Sequence, residues 1–206
     1  MLERLKTNYA FAVIRGKSSD DALEISRHAI AGGIKNIEIT YTTPEASRVI
    51  ATLLDEYAGD ETVVIGAGTV MTDDLAREAL VAGAKFLVSP HFSASIQRLA
   101  QEAGRLYFPG CATATEIVAA MEVGCEIIKL FPGGSLGPAF IKDIHGPLPQ
   151  VELMPSGGVS IDNVASWKAA GACAVGVGSA LSAKVETEGY ASVTTFAQAF
   201  MAAVEG

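Results

Sequence analysis

Five times along the chain a helical stretch closes on a small residue and glycine and runs at once into a short apolar segment: AGGIKNIEIT, VAGAKFLVSP, EAGRLYFPG, EVGCEIIKLFPG and AAGACAVGVGSA. After most of these segments comes a turn and then a helix-start signal. Thr43-Pro44-Glu45, Thr72-Asp73-Asp74 and Ser160-Ile161-Asp162 each set a hydroxyl before Pro or an acid in the expected first turn. Thr113 and Glu116 have the spacing of a capping box. NYAFAVIRG near the start, TVVIGAGTV at 62 to 70 and VELMPSGGV at 151 to 159 complete a series of eight expected strands. They begin near positions 10, 36, 63, 86, 106, 127, 152 and 174.

Strands alternating with helices at so short a period are βα units, and these require a parallel sheet covered by helices. Eight of them predict an α/β chain that forms a single (β/α)₈ TIM barrel over residues 1–206. A doubly wound open sheet is the alternative. It would ordinarily bring a glycine fingerprint after its first strand, where this chain has Ile14-Arg15-Gly16-Lys17. Half of the 206 residues are apolar and 18% are charged, enough for one sizeable core. The length is short for a barrel, so connections must be brief. The opening MLERLKTNY is expected to form a short N-terminal helix that closes the bottom.

In such a fold the run EIIKLFPGG raises a question, because it carries a lysine in the middle of a buried strand. Side chains alternate along a strand, so Ile127, Lys129 and Phe131 share one face while Ile128 and Leu130 share the other. The aliphatic pair suits the helices, which turns Lys129 inward near the C-terminal end of the sixth strand, where barrel enzymes keep their chemistry. The same test on NIEITYT sends Ile37 and Ile39 outward and Asn36, Glu38 and Thr40 inward. The second and sixth strands stand opposite each other, so Glu38 and Lys129 converge across an apolar interior. Each is costly to bury unless paired or working. One reading is a structural ion pair, or a lysine reaching solvent at the strand end. The other is catalytic: burial disfavours a charged amine in general, a neutral amine can form a Schiff base with a carbonyl, and a nearby carboxylate can move protons.

A second constellation follows the last two strands. Ser156-Gly157-Gly158-Val159 and Gly176-Val177-Gly178-Ser179 both leave backbone amides open to an anion, and these are the loops where barrels habitually bind phosphate. Either glycine pair alone would read as a plain turn.

The bulk properties exclude other classes. A net charge of -8 without any basic cluster argues against nucleic acid and anionic membranes as partners. No apolar run approaches the roughly 20 residues needed to span a bilayer, and MLERLKTNYAF lacks a signal peptide's apolar core, so a cytoplasmic protein is expected. Cys111, Cys125 and Cys173 have no metal-ligand spacing and read as reduced thiols serving as small hydrophobes. The histidines are scattered. His28 reads as a helix surface residue, His91 as a loop residue at the top of the fourth strand, and His145 as part of a crossover; no metal site is expected. Trp167 and the stretch from Phe196 to Phe200 read as helix packing.

EITYT with Glu38, GAGTV at 66 to 70, SPH at 89 to 91, PGCATATE at 109 to 116, IKLFPG around Lys129, PSGGV and GVGSAL together resemble the bacterial 2-keto-3-deoxy-6-phosphogluconate aldolases and their 4-hydroxy-2-oxoglutarate aldolase relatives. The likeness spans nearly the whole chain. It implies a homotrimeric barrel that needs no cofactor or metal and cleaves the phosphorylated keto acid to pyruvate and glyceraldehyde 3-phosphate. It also implies that Lys129 forms the imine and Glu38 carries protons, that Thr69, Pro90 and Phe131 line the pocket, and that Gly157, Gly158, Gly178 and Ser179 hold the phosphate. Two positions depart from the pattern. Many members have an arginine where Thr42 stands, which makes Arg15, on the inward face of the first strand, the candidate for the substrate carboxylate. Ser156 replaces a common threonine and keeps the hydroxyl. PGCATATE also resembles the aldolases of the galactonate epimer, whereas EITYT favours the gluconate type. A phosphosugar isomerase or epimerase on the same scaffold would leave the central lysine unexplained.

Overall fold

The computed structural model describes all 206 residues. After the helix α1 (Leu2–Asn8), strands β1 (Ala10–Ile14), β2 (Asn36–Thr40), β3 (Val64–Gly68), β4 (Phe86–Val88) and β5 (Leu106–Phe108) alternate with α2 (Ser19–Ala31), α3 (Ala46–Glu56), α4 (Asp73–Val81) and α5 (Ala94–Glu102). The second half contains β6 (Gly110–Cys111), α6 (Ala114–Glu122), β7 (Ile128–Leu130), α7 (Gly133–His145), β8 (Leu153–Pro155), α8 (Val164–Ala170) and β9 (Val175–Val177). It ends in α9 (Ser179–Ser182), α10 (Val185–Glu188) and the long α11 (Ala191–Glu205). All ladders are parallel.

The strands form two sheets, one in the order β5-β4-β3-β2-β1-β9 and one in the order β6-β7-β8. The fifth expected strand is therefore two, and the break falls at Pro109. Proline has no amide to give a ladder, and the Pro109 carbonyl instead accepts from the Lys129 amide at 2.9 Å. At the other junction the pairing of β8 with β9 thins to a single bridge, Ser156 to Gly176, with the Cys173 amide donating to the Leu153 carbonyl below it.

The inward and outward faces sort as alternation predicts. Ile37, Ile39, Ile128 and Leu130 join the large apolar layer under the helices. Phe11, Val64, Phe86, Val88, Phe108, Ile127, Met154 and Ala174 form a separate cluster on the other face, capped by Leu5 of α1. Three phenylalanine rings fill this cluster, with centroids 5.4 to 6.1 Å apart. Asn36 fastens α1 beneath them by donating to the Leu5 carbonyl at 3.0 Å. The short N-terminal helix thus closes the bottom as expected.

Two helix starts differ from expectation. Thr72 and Thr113 cap α4 and α6 through their hydroxyls, and Glu116 completes the capping box. The Thr43 hydroxyl instead accepts from the Gly16 amide at 3.1 Å, tying two loops together, and α3 begins from Glu45 in a left-handed conformation. After Ser160 the chain makes one more turn, closed by the Ser160 amide on Asn163 Oδ1 at 2.9 Å, so α8 starts only at Val164. His28 is not a plain surface residue: it is half-buried, stacks on Tyr190 and lies 2.8 Å from Thr194 Oγ1, joining α2 to α11. His145 likewise bonds the Val151 carbonyl at 3.0 Å. Trp167 and Phe200 are buried in the helical layer. All three cysteines are free; burial pushes the Cys111 and Cys125 thiols up to about 12 and raises that of Cys173 as well, so they pack as small apolar groups.

Candidate active site

Lys129, in the middle of β7, and Glu38, in the middle of β2, meet on the inward face. Lys129 Nζ lies 3.6 Å from Glu38 Oε1, with the side chains only 5% and 1% exposed. This is a charge contact longer than a hydrogen bond, and no protein group hydrogen-bonds either Glu38 oxygen. A carboxylate not tied to protein donors is equipped to take a proton. Phe131, which directly follows β7, holds its ring 5.3 Å from Lys129 Nζ, a cation–π contact that restrains the lysine stem.

Phe131 also joins this pair to a cavity of about 190 Å³ lined by Val13, Arg15, Ser156, Gly157, Gly158, Val159, Ser160, Gly178, Ser179 and Ala180. Arg15 is the only cation in that lining, and its Nη1 stands 3.0 Å from where a Cβ on Gly178 would be. Gly157 and Gly158 have φ of 86° and 75°, consecutive left-handed residues that only glycine adopts cheaply. A Cβ on Gly158 would also fall 2.8 Å from Gly134 Cα, so α7 packs directly on this loop. The helix after Gly178 is a four-residue turn, so its dipole is slight and an anion here would depend on the loop's backbone amides.

Thr69 and Pro90 do not line the cavity; they border the lysine–glutamate pair through glycines. Thr69 follows Gly68 with φ 54°, an unusual value for a β-branched residue. A Cβ on Gly68 would fall 2.2 Å from Glu38 Oε1. The Pro90 backbone lies against Gly110, the ladder partner of Lys129. On the inward face beyond Glu38, Thr40 donates to the Ile14 carbonyl at 2.8 Å and shares a hydrogen bond with Thr42 at 2.8 Å. Val13, Val159, Ser160 and Ala180 were not among the residues expected from sequence. Val13 carried a usable signal, since it shares an inward face with Arg15; the others depend on how the loops turn.

Comparison with known proteins identifies the family. The family model described as KDPG and KHG aldolase matches residues 1–196. The 2-dehydro-3-deoxy-6-phosphogalactonate aldolase of Escherichia coli K12 is 35% identical over 171 residues, covering 82% of each chain. The 2-dehydro-3-deoxy-phosphogluconate aldolase of Treponema pallidum is 35% identical over 170 residues, covering 82% of this chain and 80% of that one. Among solved structures, KDPG aldolase from Legionella pneumophila, with pyruvate captured at low pH as a covalent carbinolamine intermediate, superposes with a TM-score of 0.86 at 28% identity, covering 96% of both chains.

Proposed function

Because the chain belongs to the KDPG and KHG aldolase family, we propose that it is a Schiff-base aldolase that reversibly cleaves 2-dehydro-3-deoxy-6-phosphogluconate to pyruvate and glyceraldehyde 3-phosphate. We read its two sheets as the wall of one closed eight-stranded barrel, with β5 and β6 as halves of a single strand. The observation that carries the reading is the buried Lys129–Glu38 contact at 3.6 Å beside an anion-sized, glycine-lined cavity.

In this mechanism the Lys129 amine adds to the C2 ketone, and loss of water gives the imine. Glu38 takes the proton of the C4 hydroxyl, the C3–C4 bond breaks, and its electron pair passes into the enamine while the aldehyde leaves. Glu38 then returns the proton to C3 to make the methyl group, and water releases pyruvate and the free amine. The phosphate sits on the amides of Gly157, Gly158, Gly178 and Ser179, with Ser156 beside them. Arg15, the cation of that cavity, is a ligand for the substrate's negative charge; its place beside Gly178 brings the phosphate as well as the carboxylate into its range. Thr69, Pro90 and Phe131 enclose the pyruvate end. 4-Hydroxy-2-oxoglutarate has the same 4-hydroxy-2-keto acid core and fits the same steps.

A second reading, the galactonate epimer as substrate, is supported by PGCATATE, which resembles the galactonate aldolases, and by the 35% identity to the galactonate aldolase of Escherichia coli K12. Cleavage rates measured side by side on the two epimers decide between them. The resemblance further supports a homotrimer; no helix is long and apolar enough to cross a membrane.

Borohydride reduction in the presence of pyruvate tests the central claim. The label is expected on Lys129, and Lys129→Met is expected to be inert. A label mapped to Lys142 or Lys85 refutes it.

A further inference from the structure

Gly68 is not glycine for the sake of its backbone. Nine glycines of the chain have positive φ, and Gly68 is not among them; it ends β3 as ordinary extended strand. What the site has no room for is a side chain. A Cβ at this position would fall 2.2 Å from Glu38 Oε1, 2.6 Å from its Cγ and 2.8 Å from its Cδ. The parallel register explains the contact: Glu38 pairs with Gly66 and Thr40 with Gly68, so the inward faces of β2 and β3 lie side by side. Gly66 yields its space to the Phe86 ring, whose atoms come within 2.5 Å of a Cβ built there. Gly68 yields its space to the carboxylate. No protein group donates a hydrogen bond to either Glu38 oxygen, so among protein contacts shape and the Lys129 charge are what locate this group.

We propose that Gly68 is a positioning residue for the Glu38 proton shuttle: the methyl group it lacks is the slot in which the carboxylate lies, aimed at the substrate carbon held on Lys129. The inference rests on the shuttle role given to Glu38 above. To reach ordinary contact at 3.4–4 Å from a Cβ now 2.2 Å away, the carboxylate must move by more than an ångström. Misplacement of about 1 Å can cost about 10²-fold in rate. The three atoms nearest a Cβ at position 68 all belong to Glu38 and none to Lys129, so imine formation should be spared.

The experiment compares the full-length wild type, Gly68→Ala, Glu38→Gln and the double variant by three readouts. These are borohydride trapping of pyruvate, exchange of the pyruvate methyl protons with deuterium, and the melting temperature. The expected result for Gly68→Ala is trapping within about threefold of wild type and exchange slowed about 10²-fold. Adding Glu38→Gln should slow exchange by no more than about twofold beyond the slower single variant, since both changes remove the same function. The proposal is overturned if folded Gly68→Ala exchanges within threefold of wild type while Glu38→Gln is slow, or if trapping and exchange fall together. Wild-type exchange in Glu38→Gln would instead remove the shuttle itself, and the inference with it. Should Gly68→Ala not fold, Glu38→Ala with and without Gly68→Ala replaces it. Glu38→Ala removes the Cγ, Cδ and Oε1 atoms that a Cβ at position 68 would meet, so the double variant should fold and trap pyruvate within about threefold of Glu38→Ala alone; a larger loss, or a second failure to fold, overturns the proposal.

Discussion

Glu38 carries two burdens that one substitution can separate. If it is the proton shuttle, Glu38→Gln keeps shape and cannot accept a proton, and turnover should fall by roughly 10²–10⁴. If it is only the counter-ion of a buried ammonium, the loss should appear as stability, about 3–5 kcal/mol, with methyl exchange in the folded fraction unchanged. Thermal melts and exchange on one sample distinguish the two; a less stable protein exchanging at the wild-type rate refutes the shuttle. Both members of this pair were legible in the sequence because alternation along a strand needs only the strand's own residues. Gly68 was not legible in that way. Its meaning depends on which residue of β3 lies beside Glu38, and register is a property of two strands together.

Among the elements, the loop after β8 makes the sharpest demand. Gly157 has φ 86°, while a Cβ there would lie 3.7 Å from Phe131, an ordinary contact, so alanine is opposed by conformation and not by crowding. Gly157→Ala should therefore turn the loop's amides away from the phosphate. Loss of one charge-assisted hydrogen bond, about 1.5–3 kcal/mol, predicts a roughly ten- to hundredfold drop in kcat/KM for phosphorylated substrate. Cleavage of 4-hydroxy-2-oxoglutarate should change little; equal losses on both substrates would put the phosphate elsewhere. The helix starts show why some elements read correctly and others did not. At Thr72 and Thr113 the capping hydroxyl bonds within three residues, a local event. At Thr43 it bonds Gly16, on another loop, and the sequence near Thr43 contains no sign of that distant amide. Pro109 was visible as a proline but not as a division between sheets, because its carbonyl remains a good acceptor for the Lys129 amide while its nitrogen offers nothing.

For the molecule as a whole, the βα period fixed strand number to within the split at Pro109, since each unit must bury a helix against its strand. Assembly is carried by resemblance alone, and static light scattering on the full chain is expected to give the mass of three 21.3-kDa chains; the mass of one chain refutes the trimer. The thin junction between β8 and β9 bears on the ligand as well. Ser156 and Gly176 form its single bridge, and the glycine loops that leave those two strands form the walls of the anion cavity. Under the proposed function, a phosphate on the amides of those loops would touch both banks of this single-bridge seam and act as a rivet across it. It would do so only while the two strands stay paired, so its binding energy would add to the resistance of that seam to opening. On that reading the substrate becomes a temporary part of the scaffold, and an enzyme that has released its product is, for that interval, the more loosely fastened molecule.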